Sequence, residues 1–334
     1  MSEIRAYAFK KNAALEEMLT SVNDDLGPSE QLLRSKYLDR EMNFPLILVL
    51  GPLRSGTTLF MQWLAETGIV SYPTNLLSRF YKAPTIGAKI QLLLTDRRYN
   101  FRDELGEFLN ESSLESENGK TKGALAPNEF WYYWRQFLEE PSRDVWTDEE
   151  LHRTVQIRQM IASLAAMMDV FAKPFAAKGM LFNYNIKFLD SVFEKLILVR
   201  LKRDPVATVA SVLRARERQY GHQNAWYSFE IPEKRELSAF TPLEQASGQI
   251  SCINRALDRG LAKVDEHRKL TVEYEEFCEN PGRVFSVLRT RLESQGYSSC
   301  AKYTGAPSFV ARNRIDLSKA EVRKIWKVYS DYSN

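Results

Sequence analysis

Residues 45–58 read Pro45-Leu-Ile-Leu-Val-Leu-Gly-Pro-Leu-Arg-Ser-Gly-Thr-Thr58, and the order of residue types in this run decides the fold. The run from Pro45 to Leu50 is continuously apolar, short and closed by Gly51-Pro52, which predicts a strand buried on both faces. Leu59, Trp63 and Leu64 then share one helical face and Gly68 follows, predicting a helix over 57–67. Gly51 and Gly56 carry the Gly-x4-Gly spacing of a phosphate-binding loop, placed between strand and helix. In such a loop, unpaired backbone N–H groups and the helix dipole converge on one point and hold an anion. An ordinary Gly/Ser turn is the competing reading of the same residues.

Working outward, the apolar run at 195–200 precedes a helix over 206–218 whose Val209, Val212 and Leu213 form a core stripe. Residues 270–274 precede a helix over 282–294, and 180–183 read as a short strand before a helix over 186–193. Strands alternating with helices predict a three-layer α/β/α domain with a central parallel sheet, of the phosphate-loop nucleotide-binding type, spanning 1–334. Residues 74–175 read as a mostly helical insertion that includes one amphipathic helix over 148–172. Within it, the polar segment 111–122 reads as an exposed loop. Further helical patterns cover 241–267 and 317–329.

Composition removes several function classes. The chain has 334 residues with 46 Lys and Arg against 43 Asp and Glu, a balance that predicts no nucleic-acid partner. No apolar stretch approaches the ~20 residues of a membrane span, and residues 1–11 are charged, so neither a span nor a secretory signal is expected. Cys252, Cys278 and Cys300 lack CxxC or Cys/His pairing, which predicts neither a disulfide framework nor a zinc site and makes a reducing, cytoplasmic location the simpler reading. No residue pattern suggests a bound metal.

Thr57 stands where a nucleoside triphosphatase needs the lysine that bridges its phosphates, and the cation has moved back to Arg54. The run Pro52-Leu-Arg-Ser-Gly-Thr-Thr58 resembles the 5′-phosphosulfate loop of the sulfotransferase family, Pro-x-Lys/Arg-Ser-Gly-Thr-Thr. Arginine in the cation position is similar to the carbohydrate and tyrosylprotein branches. The resemblance implies that 3′-phosphoadenosine 5′-phosphosulfate is the donor. It implies that Arg54, Ser55, Gly56, Thr57 and Thr58 hold its 5′-phosphate, with Arg54 stabilising charge on the leaving oxygen. Arg203-Asp204-Pro205, followed eight residues on by Ser211, resembles the family's 3′-phosphate motif. The same residues also read as a capping Asp204 with Pro205 at the first helical position, and the two roles are compatible. Tyr274, in Tyr274-Glu-Glu-Phe277, resembles the family residue near the adenine, with core packing as the competing reading. The family's C-terminal Arg-Lys-Gly motif is missing, and Arg312 and Arg314 are the residues that could stand in for it.

A base is also required, and the family takes His or Glu by branch. Glu129, within the aromatic run 126–134, is the first candidate, its carboxyl pKa expected to be raised by those surroundings. The competing reading makes Pro127-Asn128-Glu129 a helix start over buried aromatics. His222, near Trp226 as an acceptor contact, is the second candidate, while His152 falls mid-helix at the surface. The implied activity is sulfuryl transfer, without a metal, to a hydroxyl of a small-molecule or carbohydrate acceptor, including a glycolipid. A small-molecule kinase or nucleotide hydrolase with a degenerate loop, and a non-catalytic nucleotide-binding protein, are the competing functions.

Overall fold

The computed structural model describes residues 6, 10–100, 102, 116–117 and 120–333. Behind the amino-terminal helix α1 (Ala13–Ser35), the quoted run forms β1 (Leu46–Leu50) and α2 (Thr57–Glu66) as its sequence predicts. Every β1 residue is buried, with Leu46, Leu48 and Leu50 entering one core and Ile47 and Val49 the other. A strand covered on both faces has no reason to alternate with polar residues, so its sequence is apolar throughout.

The insertion contains α3 (Pro84–Thr95), a two-strand hairpin of β2 (Ser116–Glu117) and β3 (Lys120–Thr121), α4 (Trp131–Arg135), α5 (Asp148–Thr154) and α6 (Ile157–Phe171). The single helix expected over 148–172 is therefore two. Val155 between them is extended at ψ 136°, and α5 has its own capping box of Thr147 and Glu150. Neither Gly nor Pro marks the break, and Leu151 of α5 runs on in helical spacing into the apolar face of α6, so the sequence pattern carries no sign of it. Of the loop expected at 111–122, residues 111–115 and 118–119 lie outside the described residues, and the paired strands occupy 116–117 and 120–121.

The chain then enters β4 (Phe175–Lys178), α7 (Ile186–Val192), β5 (Leu196–Lys202), α8 (Pro205–Tyr220), α9 (Lys234–Leu237) and α10 (Pro242–Leu261). It ends with β6 (Lys269–Glu273), α11 (Tyr274–Glu279), α12 (Pro281–Ser294) and α13 (Lys319–Asp331). The helical pattern read over 241–267 stops at Leu261, before a 3-10 turn at Glu266–Arg268. The short strand expected at 180–183 is a 3-10 turn over Met180–Phe182, and the strand lies five residues earlier. Phe175-Ala-Ala-Lys178 has weak intrinsic strand preference, but its small residues sit fully buried against β1. Its outer edge is closed by Ser71, whose N–H donates to Pro174 O at 2.7 Å and whose O accepts from Ala176 N at 2.8 Å. Burial and pairing outweigh propensity there.

All four strands of the main sheet are parallel, in the order β4-β1-β5-β6. Their carboxyl ends consequently share one edge, where open α/β sheets place their ligands. That edge receives Gly51 from β1, Lys178 from β4, Arg203 from β5 and Tyr274 from β6.

Helix α1 docks mainly through two buried polar side chains. Asn23 donates to Arg79 O and accepts from Lys82 N, each at 2.7 Å. The Glu30 carboxylate accepts from Thr85 N at 3.0 Å and Ile86 N at 3.1 Å, at the amino terminus of α3, where Ala83 offers no side-chain cap. An anion there meets both unpaired N–H groups and the helix dipole. Glu30→Ala is expected to lower unfolding free energy by roughly 1–3 kcal/mol, since two buried donors lose their acceptor. An unchanged denaturant midpoint would show the cap to be dispensable.

Candidate active site

The loop after β1 is held in a conformation that few residues can adopt. Gly51 and Gly56 have φ of 147° and 98°, and Arg54 sits in the left-handed region at φ 62°. A Cβ on Gly56 would lie 2.3 Å from the Tyr274 ring, and one on Gly51 would lie 2.8 Å from the Leu201 carbonyl. Asn183 fixes the loop's first residue from both sides, accepting from Gly51 N at 3.2 Å and donating to Gly51 O at 2.9 Å. Gly56 is the N-cap of α2 and gives it no side-chain cap. Ser55 Oγ is fully buried without a hydrogen-bond partner among the described residues, and Thr57 Oγ1 donates to Met180 Sδ at 3.8 Å. A turn of this kind, at the start of a helix with no side-chain cap, is a place where backbone N–H groups can meet an anion.

Beside it, Arg203 ties together three segments. Its Nη1 donates to Arg54 O at 2.7 Å, its Nη2 to Arg312 O at 2.6 Å and its Nε to Asn313 Oδ1 at 3.0 Å. Glu275 Oε1 accepts from Asn313 Nδ2 at 2.7 Å and from Asp204 N at 3.3 Å. Asp204 also caps α8, accepting from Ala207 N at 2.7 Å with Pro205 at the first position, so the capping role read in the sequence is present. Arg54 Nε donates to Ser211 Oγ at 3.0 Å, which brings the two motifs into contact. Burial pulls the Arg203 pKa below the usual arginine value, and the like charge of Arg54 adds to this against the opposing Tyr274 and Glu275. An arginine so shifted remains protonated at neutral pH.

Tyr274 opens α11 and is only 4% exposed, packed over Gly56 with the Arg203 guanidinium 4.7 Å from its ring centroid. Its hydroxyl accepts from Arg312 N at 3.3 Å. The ring braces the loop against the C-terminal segment, as the packing reading has it, and it also lines the cleft. Arg312 and Arg314 line the same cleft, with Arg314 paired to Asp316 at 2.7 Å.

Lys178 is the residue that sequence reasoning missed. Its side chain is 5% exposed, and Nζ donates to Thr58 Oγ1 and to Glu129 Oε1, each at 2.9 Å. Glu129 Oε2 accepts from Trp131 Nε1 at 2.7 Å. Burial pushes the Glu129 pKa up, but Lys178, the indole N–H and Arg54 together outweigh it and hold the carboxyl below its usual range. The expected upward shift is thereby corrected, because the aromatic run that suggested desolvation also delivers a hydrogen-bond donor, and a cation arrives from β4. Placing the strand at 180–183 leaves Lys178 in the connection between the insertion and that strand, although a lysine ending the apolar run Phe175-Ala-Ala was the available signal. Helix α4 begins after Phe130, at φ 60°, so Glu129 precedes the helix and does not lie in its first turn.

His222 is exposed and is not a cleft residue, since Gly221 caps α8 at φ 77° just before it. Trp226 donates to Phe229 O at 3.2 Å and also lies off the cleft wall, where Tyr227 and Phe229 appear instead. His152 bonds Ser191 at 3.1 Å at an exposed position, as its sequence context predicts. The cleft uniting the loop, Arg203 and Glu129 has a volume of about 1670 Å³, and Lys178 lies buried behind two of its lining residues, Thr58 and Glu129.

Residues 45–294 match the family model described as the Sulfotransferase family. The chain belongs to the sulfotransferase family. Two solved structures share the fold of this sulfotransferase. STF9 from Mycobacterium avium is 17% identical with a TM-score of 0.52, the match covering 96% of this chain and 85% of that one. STF1 from Mycobacterium tuberculosis is 15% identical with a TM-score of 0.52, covering 92% and 81%. No curated protein matches in sequence.

Removing Lys178 tests the electrostatics of the site. In Lys178→Met the burial effect on Glu129 stands without its main opponent, so the carboxyl pKa should rise, as read by ¹³C chemical shift against pH. A depressed carboxylate stabilises the fold above the ordinary carboxyl pKa and loses this as pH falls through the folded value. The variant should therefore lose that acid-limb dependence, and an unmoved Glu129 titration would rule out the pairing in solution.

Proposed function

We propose that this sulfotransferase transfers the sulfuryl group of 3′-phosphoadenosine 5′-phosphosulfate to a hydroxyl of a carbohydrate or glycolipid. The observation that carries the reading is the 2.7 Å bond from Arg203 Nη1 to Arg54 O. It holds Arg203 against the loop, which supports reading the two motifs as neighbouring anion sites for a single nucleotide with phosphates at both ends of its ribose. A kinase would need no second site of this kind. Arg203, Ser211, Arg312 and Arg314 take the 3′-phosphate, and the loop N–H groups with Arg54, Ser55, Thr57 and Thr58 take the 5′-phosphate.

Lys178 spans the gap between Thr58 and Glu129, which suits a cation meeting the sulfonyl oxygens. In the transfer, the acceptor hydroxyl gives its proton to the Glu129 carboxylate as its oxygen forms a bond to sulfur. The bond from sulfur to the 5′-phosphate oxygen breaks in line, and 3′,5′-ADP leaves. The Glu129 carboxyl is ionised at neutral pH, but its lowered pKa weakens it as a base, so it takes the proton only as the acceptor oxygen bonds to sulfur, while Arg54 and Lys178 offset charge on the leaving oxygen. No helix among the described residues is long and apolar enough to cross a membrane, and Cys252, Cys278 and Cys300 are unpaired. Unpaired thiols suit a reducing compartment, and the cytoplasm completes the proposal.

Arg203→Ala should weaken 3′,5′-ADP at least ~10-fold more than 5′-AMP, because a charge-assisted contact to the 3′ group is worth ~1.5–3 kcal/mol. Equal losses in calorimetry, or stronger thermal stabilisation by ATP with Mg²⁺ than by 3′,5′-ADP, would remove the donor assignment. Glu129→Gln should lower turnover by ~10² or more at unchanged 3′,5′-ADP affinity, and full turnover would exclude it as the base.

A further inference from the structure

We propose that the acceptor is an amphiphile, its hydroxyl-bearing head at Glu129 and its apolar chain lying beneath the amino-terminal end of α1. This rests on the sulfuryl-transfer reading and narrows its acceptor to the glycolipid class. The cleft measures about 1670 Å³, whereas a single small ligand fills ~300–1,000 Å³, so a bulky second reactant has room beside the donor.

Helix α1 says what that reactant is like. Its apolar residues Leu15, Met18, Leu19, Val22 and Leu26 fall at helical spacing, a pattern that ordinarily faces a core. Here Leu15 is 36% exposed, and Leu15 and Leu19 line the cleft. The polar anchors Asn23 and Glu30 hold the helix further along, leaving its apolar beginning over the acceptor side. The overhang is tied to the site by Tyr132, which donates to Glu16 at 2.7 Å and accepts from Lys11 at 3.0 Å. The neighbouring Trp131 bonds Glu129. Glu129, the Trp131 indole, Leu15 and Leu19 all line this cleft, so a chain attached to a hydroxyl at Glu129 shares it with both leucines. A free oligosaccharide would leave both leucines wet, while an alkyl chain gains roughly fourfold in affinity per methylene buried against them.

The test is calorimetric titration of octyl maltoside, below its micelle concentration, and of maltose into the full chain saturated with 3′,5′-ADP. Octyl maltoside should bind at least ~30-fold tighter than maltose. The double variant Leu15→Asp with Leu19→Asp should cut octyl maltoside affinity at least ~10-fold, and Met18→Asp, on the same helix but off the cleft wall, should leave it unchanged. Unchanged 3′,5′-ADP affinity in each variant reports an intact fold. Equal binding of maltose, no detectable octyl maltoside binding, insensitivity to the double variant or an equal loss in Met18→Asp would each overturn the inference. Failure of 3′,5′-ADP to bind the unaltered chain would instead overturn the donor reading beneath it, a result read before any maltoside is added.

Discussion

Arg203 holds the site together through oxygens that belong to other parts of the chain. Its three bonds join the end of β5 to the phosphate loop at Arg54 and to the C-terminal segment at 312–313, about 110 residues away in sequence. An arginine suits this task because its planar fork presents several donors in fixed directions and cannot lose its charge. The left-handed Arg54 is a conformation that costs free energy unless neighbours determine it, and the bond to its carbonyl is one such determinant. Asn183 supplies another at Gly51, and the Tyr274 ring closes over Gly56. The loop is therefore shaped before any anion reaches it, so binding does not bear the cost of ordering it.

A second balance operates one strand away. Lys178 is costly to bury alone, and its attraction to the half-buried Glu129 together with the hydrogen bond to Thr58 offsets that cost. Lys178 thereby serves two neighbours, as an ion-pair partner that keeps the carboxylate ionised and as a cation at the loop. The parallel sheet makes this possible, because β1 and β4 are adjacent and end at the same edge.

Much of the fold was legible at β1 and β5, where uninterrupted apolar runs between turn residues leave little alternative to a doubly covered strand. The Gly51 and Gly56 loop and the capped start of α8 at Asp204-Pro205 were legible for the same reason, since each needs particular residue types for local backbone reasons. Phe175-Ala-Ala-Lys178 was not, because alanines carry no strand preference and only the neighbouring β1 and Ser71 make that segment extended. The break at Val155 escaped for a similar cause, as a change of helix direction without Gly or Pro leaves no local mark.

By itself, the sequence determined the phosphate loop, the second basic motif and the alternation of strands with helices, all of which depend on residues close together in the chain. Tertiary structure alone decided that Lys178 meets Glu129, that His222 is exposed and not among the cleft-lining residues, and that Tyr274 braces the loop. Those outcomes depend on which strand ends lie side by side and on the direction in which a capped helix releases the chain. Contacts between residues 49 or 149 positions apart are fixed by packing, and no local pattern encodes them.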